Sequence, residues 1–203
     1  MMDKILYTIG HSNHSIETFV NLLQKYSITA LGDVRSHPYS RYVSQYSYES
    51  LKQALTTAGI TYVFLGKELG VRSSNPTCYI QGKVQYDLLA KEPLFKQGLI
   101  RVKQGMEHYT LALMCAEKDP LECHRSILIS RHLFEEQISV QHIHANGVLE
   151  SHRALEERLL KVCKISKDDM FKTPEQCIAE AYQIQGERIA YQDKKMEELE
   201  IAA

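Results

Sequence analysis

The 203-residue chain has no apolar run of the roughly 18 residues needed to cross a bilayer, which removes a helical membrane span. Neither sign of charge is in excess: 24 Lys and Arg stand against 25 Asp and Glu, a formal net charge of −1. No overall field therefore draws it to nucleic acid or an anionic membrane, although a local basic patch still could. The five cysteines, odd in number and irregularly spaced, do not make a secreted disulfide framework. Residues 1–4 lead straight into a strand-like run, so no secretory leader is expected. These features point to a cytoplasmic protein with reduced thiols.

Several motifs are also missing. GxGxxG and GxSxG do not occur, which removes the usual dinucleotide and hydrolase fingerprints. Gly66-Lys67-Glu68-Leu69-Gly70 lacks the spacing and terminal Lys-Ser/Thr of a Walker A loop. A cysteine phosphatase needs Cys-x5-Arg, but Leu121 and Ile129 stand where the arginine should follow Cys115 and Cys123. There is no CxxC, and Cys-x7-Cys-His is not a familiar zinc spacing, so no metal ligand is assigned and no cofactor is specified. No internal repeat is evident.

What is present is an ordinary core, with 44% hydrophobic residues, enough for one domain with an appendage. Strand-like runs cover 4–9, 29–34, 60–65, 110–115 and 140–144, separated by stretches with helical spacing. Ser15, Ser47, Ser151 and Thr173 stand where helices should be capped, and Pro93 divides the helical stretch 84–104. Residues 66–82 read as a long loop. The expected fold is α/β: a three-layer, doubly wound, mainly parallel sheet of about five strands over 1–165, with a C-terminal helical extension over 166–203. That extension should pack on the domain or on a second copy, so a homo-oligomer through it is open.

In such a fold, ligands bind beyond the carboxyl ends of the parallel strands. Gly10-His11-Ser12, Asp33-Val34-Arg35, Cys115-Ala116-Glu117 and His142-Ile143-His144 all fall there, with Cys123-His124-Arg125 opening the next helix. Four of these five segments carry histidine or cysteine. Residues 8–12, Thr-Ile-Gly-His-Ser, Asp33-Val34-Arg35 with Pro38-Tyr39-Ser40-Arg41, Leu69-Gly70, and Met-Cys-Ala-Glu-x3-Pro-x2-Cys-His-Arg at 114–125 together resemble a bacterial and archaeal family known as domain of unknown function 488. The turn His144-Ala145-Asn146-Gly147 is similar to that family's His-x-x-Gly ending. The resemblance implies the fold and the site but no reaction. Gly32 departs from it, standing where a larger apolar residue is usual and leaving more room behind Asp33.

Cys123 at a helix start is the expected reactive thiol, as nucleophile or metal ligand, and Cys115 the packing one. His11 and Glu117 are candidate acid–base groups and Asp33 an orienting carboxylate. Arg35, Arg41 and Arg125, with Ser12, His124 and His144, are candidate holders of an anion. The leading expectation is an enzyme acting on a phosphorylated or nucleotide-like substrate. One alternative is a non-catalytic module that binds a nucleotide or nucleic acid through the Arg/Tyr loop, a weaker signal. Another is a metal or thiol-redox site at Cys115, Cys123 and His144.

Overall fold

The computed structural model describes residues 4–39, 42–167 and 171–201. Arg41, among the expected anion holders, lies outside the described residues. From β1 (Ile5–Gly10) the chain runs through α1 (Ile16–Lys25) to β2 (Ala30–Asp33), then α2 (Tyr48–Thr57) and β3 (Thr61–Phe64). The stretch 66–82 expected to be a loop holds a short helix α3 (Gly66–Leu69) and the strand β4 (Tyr79–Ile80), which forms a hairpin with β5 (Lys83–Val84) just beyond it, at the expected start of the helical stretch. Next come α4 (Tyr86–Leu89), α5 (Pro93–His108) and β6 (Leu111–Cys115). After a 3-10 turn (Pro120–Glu122), one π-helical stretch (Arg125–Ser130) runs into α6 (Arg131–Glu135). The chain ends with β7 (Ser139–Ile143), β8 (Leu149–Ser151), α7 (His152–Cys163), α8 (Pro174–Ile189) and α9 (Lys194–Ile201). No helix among the described residues is long and apolar enough to cross a membrane.

The local signals work as their chemistry requires. Ser15, Ser151 and Thr173 each accept a backbone N–H at a helix start, and Thr173 forms a reciprocal capping box with Gln176. Pro93 opens α5, where its missing N–H costs nothing. α1 buries Phe19 and Leu23, each contributing about 2 kcal/mol of apolar burial.

The main sheet has the order β3-β2-β6-β1-β7-β8, parallel except for β8, which pairs antiparallel with β7. β8 is the sixth strand, and its three residues are too short to show an alternating pattern. Alternation along β6 divides the core: Leu111, Leu113 and Cys115 join α5 and the segment after β6, while Ala112 and Met114 join α1 and α2. β6 thus leads to one face of the sheet, whereas β1 and β2 on either side of it lead to the other. Chains diverging at a sheet's carboxyl edge open a crevice there, so the crevice belongs to the end of β6. A satellite core joins α7 and α8 to Leu121 and Ile127, and the apolar face of α8 is spent within the chain. Behind Asp33, a Cβ on Gly32 would meet Leu65 at 2.9 Å and Leu113 at 3.0 Å, so those leucines fill the room expected there.

Candidate functional site

Two buried clusters straddle the crevice. The first lies over the α5 face. β6 delivers Cys115, and eight residues later the 3-10 turn, capped by the Asp119 carboxylate on the Leu121 N–H, returns the chain with Cys123 and His124. The His124 Nδ1 stands 3.7 Å from the Cys115 Sγ and 4.0 Å from the Cys123 Sγ. Its Nε2 donates to the Val34 carbonyl at 3.2 Å; a carbonyl only accepts, so in the neutral ring the Nδ1 lone pair faces the sulfurs. The Arg125 N–H donates to the Cys123 Sγ at 3.4 Å. Both sulfurs are almost wholly buried, at 3% and 1% exposure.

These neighbours divide the two thiols. Burial pushes the Cys123 thiol up, but a hydrogen bond from Cys115, the Arg125 guanidinium and His124 outweigh it and hold the thiol well below its ordinary range. The Cys115 thiol is held above that range by its bond to Cys123 and by burial. Burial disfavours the His124 cation, and Cys123 more than reverses this. The Glu117 carboxyl interacts with both sulfurs and is pushed up by burial and then by Cys123; the residue as a whole stays exposed, at the mouth of the cluster.

Arg125 is fully buried, and its guanidinium donates only to neutral carbonyls, Glu117 at 2.8 Å and Lys118 at 3.5 Å. No carboxylate among the described residues pairs with it, and Arg125 Nε and Ser126 Oγ have no hydrogen-bond partner. Gly10 makes this approach possible: a Cβ there would sit 1.8 Å from the Glu117 carbonyl oxygen and 3.2 Å from an Arg125 nitrogen. The π-helical turn begins at the same place, closed by the Ser130 hydroxyl donating to the Arg125 carbonyl at 2.7 Å, and π-turns are frequent at functional sites.

The second cluster lies over the α1 and α2 face. Arg35 grips Asp33 through Nε at 2.9 Å and NH2 at 2.6 Å, and the Tyr62 hydroxyl donates to Asp33 at 2.8 Å. Burial works against the Arg35 charge, and Asp33 more than restores it. Arg35 NH1 also faces the His11 Nε2 at 3.2 Å, so that nitrogen accepts and Nδ1–H donates to the Ser12 carbonyl at 2.8 Å. Burial lowers the His11 imidazole to about 4, in keeping with a neutral ring stacked on Tyr46 at 4.1 Å. Ser12 has φ 49°, a left-handed conformation that costs a serine about 1 kcal/mol.

The expected residues therefore fall into two groups: Cys123, His124, Arg125 and Glu117, and across the edge His11, Ser12, Asp33 and Arg35. They are tied together by the His124–Val34 bond and by the His11 N–H, which donates to the Cys115 carbonyl at 2.9 Å. His144 is engaged with Glu150 at 2.9 Å, which Arg158 also holds, and the imidazole beside the thiols is that of His124. Sequence reasoning missed the roles of Tyr46 and Tyr62. It also missed a buried chain: the Thr8 hydroxyl to His142 Nδ1 at 2.7 Å, His142 Nε2 to His152 Nδ1 at 3.0 Å, His152 Nε2 to the Tyr182 hydroxyl at 2.8 Å, and that hydroxyl to Glu156 at 3.1 Å. Its one legible sign was His142 in the apolar strand β7.

Fold and site together define a doubly wound α/β protein with a cysteine–histidine cluster where the sheet changes face. The chain belongs to the family described as Domain of unknown function DUF488, whose profile matches residues 15–132. The match takes in Asp33, Arg35 and the whole of 114–125, while His11 precedes it and His144 follows it. No curated protein and no solved structure gave a match.

Proposed function

We propose that the chain is a cytoplasmic enzyme acting on a small anionic substrate, phosphorylated or nucleotide-like, with the Cys123 sulfur as its nucleophile. The observation that carries this reading is Arg125, a buried cation whose described partners are all neutral. A buried cation held by no carboxylate among the described residues is costly, so a site built around one suits a negative group, the Cys123 thiolate it stabilises or the anion of a ligand. Arg125 Nε and Ser126 Oγ are two buried donors without a hydrogen-bond partner, on the two residues that follow His124. His124 Nδ1 is placed to take the thiol proton, and Glu117 at the mouth is the candidate acid–base group toward solvent. Asp33 holds Arg35, and Arg35 holds His11. Five free cysteines accord with a reducing compartment.

The test is a panel of phosphate monoesters and nucleotides assayed with wild-type protein and Cys123→Ser. Turnover abolished in a variant with unchanged circular dichroism supports the reading. Turnover that survives the substitution removes the thiol mechanism, and salt-sensitive binding with no turnover in either protein identifies a binding module instead.

A further inference from the structure

We infer that Cys115, Cys123 and His124 form a binding site for one soft or borderline transition-metal ion, zinc(II) in the first place. The Cys115 Sγ, the Cys123 Sγ and a His124 ring nitrogen all lie within 4.8 Å of one another. A tetrahedral zinc with bonds of about 2.3 Å to sulfur and 2.0–2.1 Å to nitrogen sets its donors about 3.6 Å (S to N) and about 3.8 Å (S to S) apart. The observed sulfur-to-nitrogen separations of 3.7 Å and 4.0 Å need only a few tenths of an ångström of closure. Two sulfurs and an imidazole suit zinc(II) or copper(I) and not the oxygen-seeking magnesium or calcium.

The surroundings are arranged as a metal's outer shell. The Nε2–H bond to the Val34 carbonyl fixes the His124 tautomer and points the Nδ1 lone pair at the sulfurs. The Arg125 N–H already donates to the Cys123 Sγ, as to a ligating thiolate. Cys115 and Cys123, at 3% and 1% exposure, would hold an ion in an enclosed setting. Three protein donors leave one tetrahedral position unfilled, the pattern of zinc sites that do chemistry. Glu117, whose carboxyl interacts with both sulfurs, is an acidic group within reach of that position.

Binding exchanges the Cys115 thiol proton and the proton shared by Cys123 and His124 for one ion, with release of those protons to solvent and no change of oxidation state. The Cys123 electron pair is then committed to the ion, so the metal-loaded and free-thiol forms exclude each other and zinc inhibits chemistry at that sulfur. Protein stripped with a chelator and titrated with zinc sulfate should bind one equivalent by native mass spectrometry. Cys115→Ser and His124→Ala should each weaken binding by at least about a hundredfold, since outer-shell changes alone cost 10–100-fold. Cobalt(II) in the wild-type chain reads the same ligands without a substitution, through sulfur-to-cobalt charge transfer in the near ultraviolet. Less than one equivalent of zinc, an affinity untouched by both variants, or cobalt without charge transfer overturns the site. Iodoacetamide labelling of Cys123 in the stripped protein tests the nucleophile separately: labelling without zinc binding removes the metal site alone, and zinc binding without labelling removes the nucleophile alone.

Discussion

Two buried histidine clusters in this molecule use the same residue type to opposite ends. In the chain from Thr8 to Glu156, the bonds are 2.7 to 3.1 Å long, and one direction of donation satisfies them all: Thr8 to His142, to His152, to Tyr182, to Glu156. Burial keeps both imidazoles neutral, lowering His152 to about 4 and His142 well below its ordinary range. Around Cys123 the contacts are longer, at 3.7 and 4.0 Å, and Arg125 Nε and Ser126 Oγ are unspent. A polar network with every donor used specifies structure; one that keeps donors unused costs stability and is built for something else. The chain of histidines fastens the C-terminal helix α8 to β1, whereas the sulfur cluster lies at the crevice with buried donors unspent beside it in sequence, at Arg125 and Ser126.

The sharpest break of that contrast is His142→Leu, which leaves Thr8 and His152 unpaired in the core. Denaturant unfolding should show a loss of about 4 kcal/mol, with zinc binding retained in the folded fraction. A loss below about 1 kcal/mol would mean that the chain is not structural. Gly10→Ala attacks the other cluster, because its methyl group overlaps the Glu117 carbonyl and crowds Arg125. Calorimetry should find about 3 kcal/mol lost to overpacking, and zinc affinity should fall with it because the loop that returns Cys123 must shift.

Acid should weaken the histidine chain through His152, with its native value of about 4 against 6.5 in the unfolded chain, a sensitivity that His11 gives the crevice as well. Between those values the unfolded chain holds the proton more tightly. Stability is therefore complete above pH 6.5, falls as pH drops, and has lost its His152 share by pH 4. From pH 7 to pH 5 that share is about 2 kcal/mol, read from urea midpoints as the part of the pH dependence that His152→Gln removes. The smallest effect is expected of Cys123→Ser, whose hydroxyl can still meet the Arg125 N–H and His124. Stability should move by about 1 kcal/mol, yet zinc binding and iodoacetamide labelling at that position should vanish. A large stability loss with zinc binding intact would reverse the roles given to the two clusters.

The parallel strands were legible because buried strands read as short apolar runs, and the caps at Ser15, Ser151 and Thr173 because one side-chain oxygen satisfies one N–H. The crevice followed from the order of strands and helices, which put Cys115, Asp33 and His11 at strand ends. β8 and the β4–β5 hairpin were hidden, since strands of two or three residues have no period to detect. His142 and His144 both fall in the strand-like run 140–144, but β7 ends at Ile143 and the two rings find separate partners, His152 and Glu150.

From sequence alone came the alternation of strands and helices and the placing of His11, Asp33 and Cys115 at the carboxyl ends of strands, because each depends on neighbours within a few residues. The tertiary structure alone decided that Cys115 stands beside Cys123 with His124 against both, and that Arg125 is buried without a carboxylate partner among the described residues. Consecutive letters Cys123 and His124 say nothing of a shared point in space; the 3-10 turn, the glycine at position 10 and the Val34 carbonyl bring their donor atoms to within 4.8 Å of the Cys115 sulfur. Distances of that kind depend on a non-repeating turn and on contacts from β1 and the residue after β2, and no local periodicity encodes them.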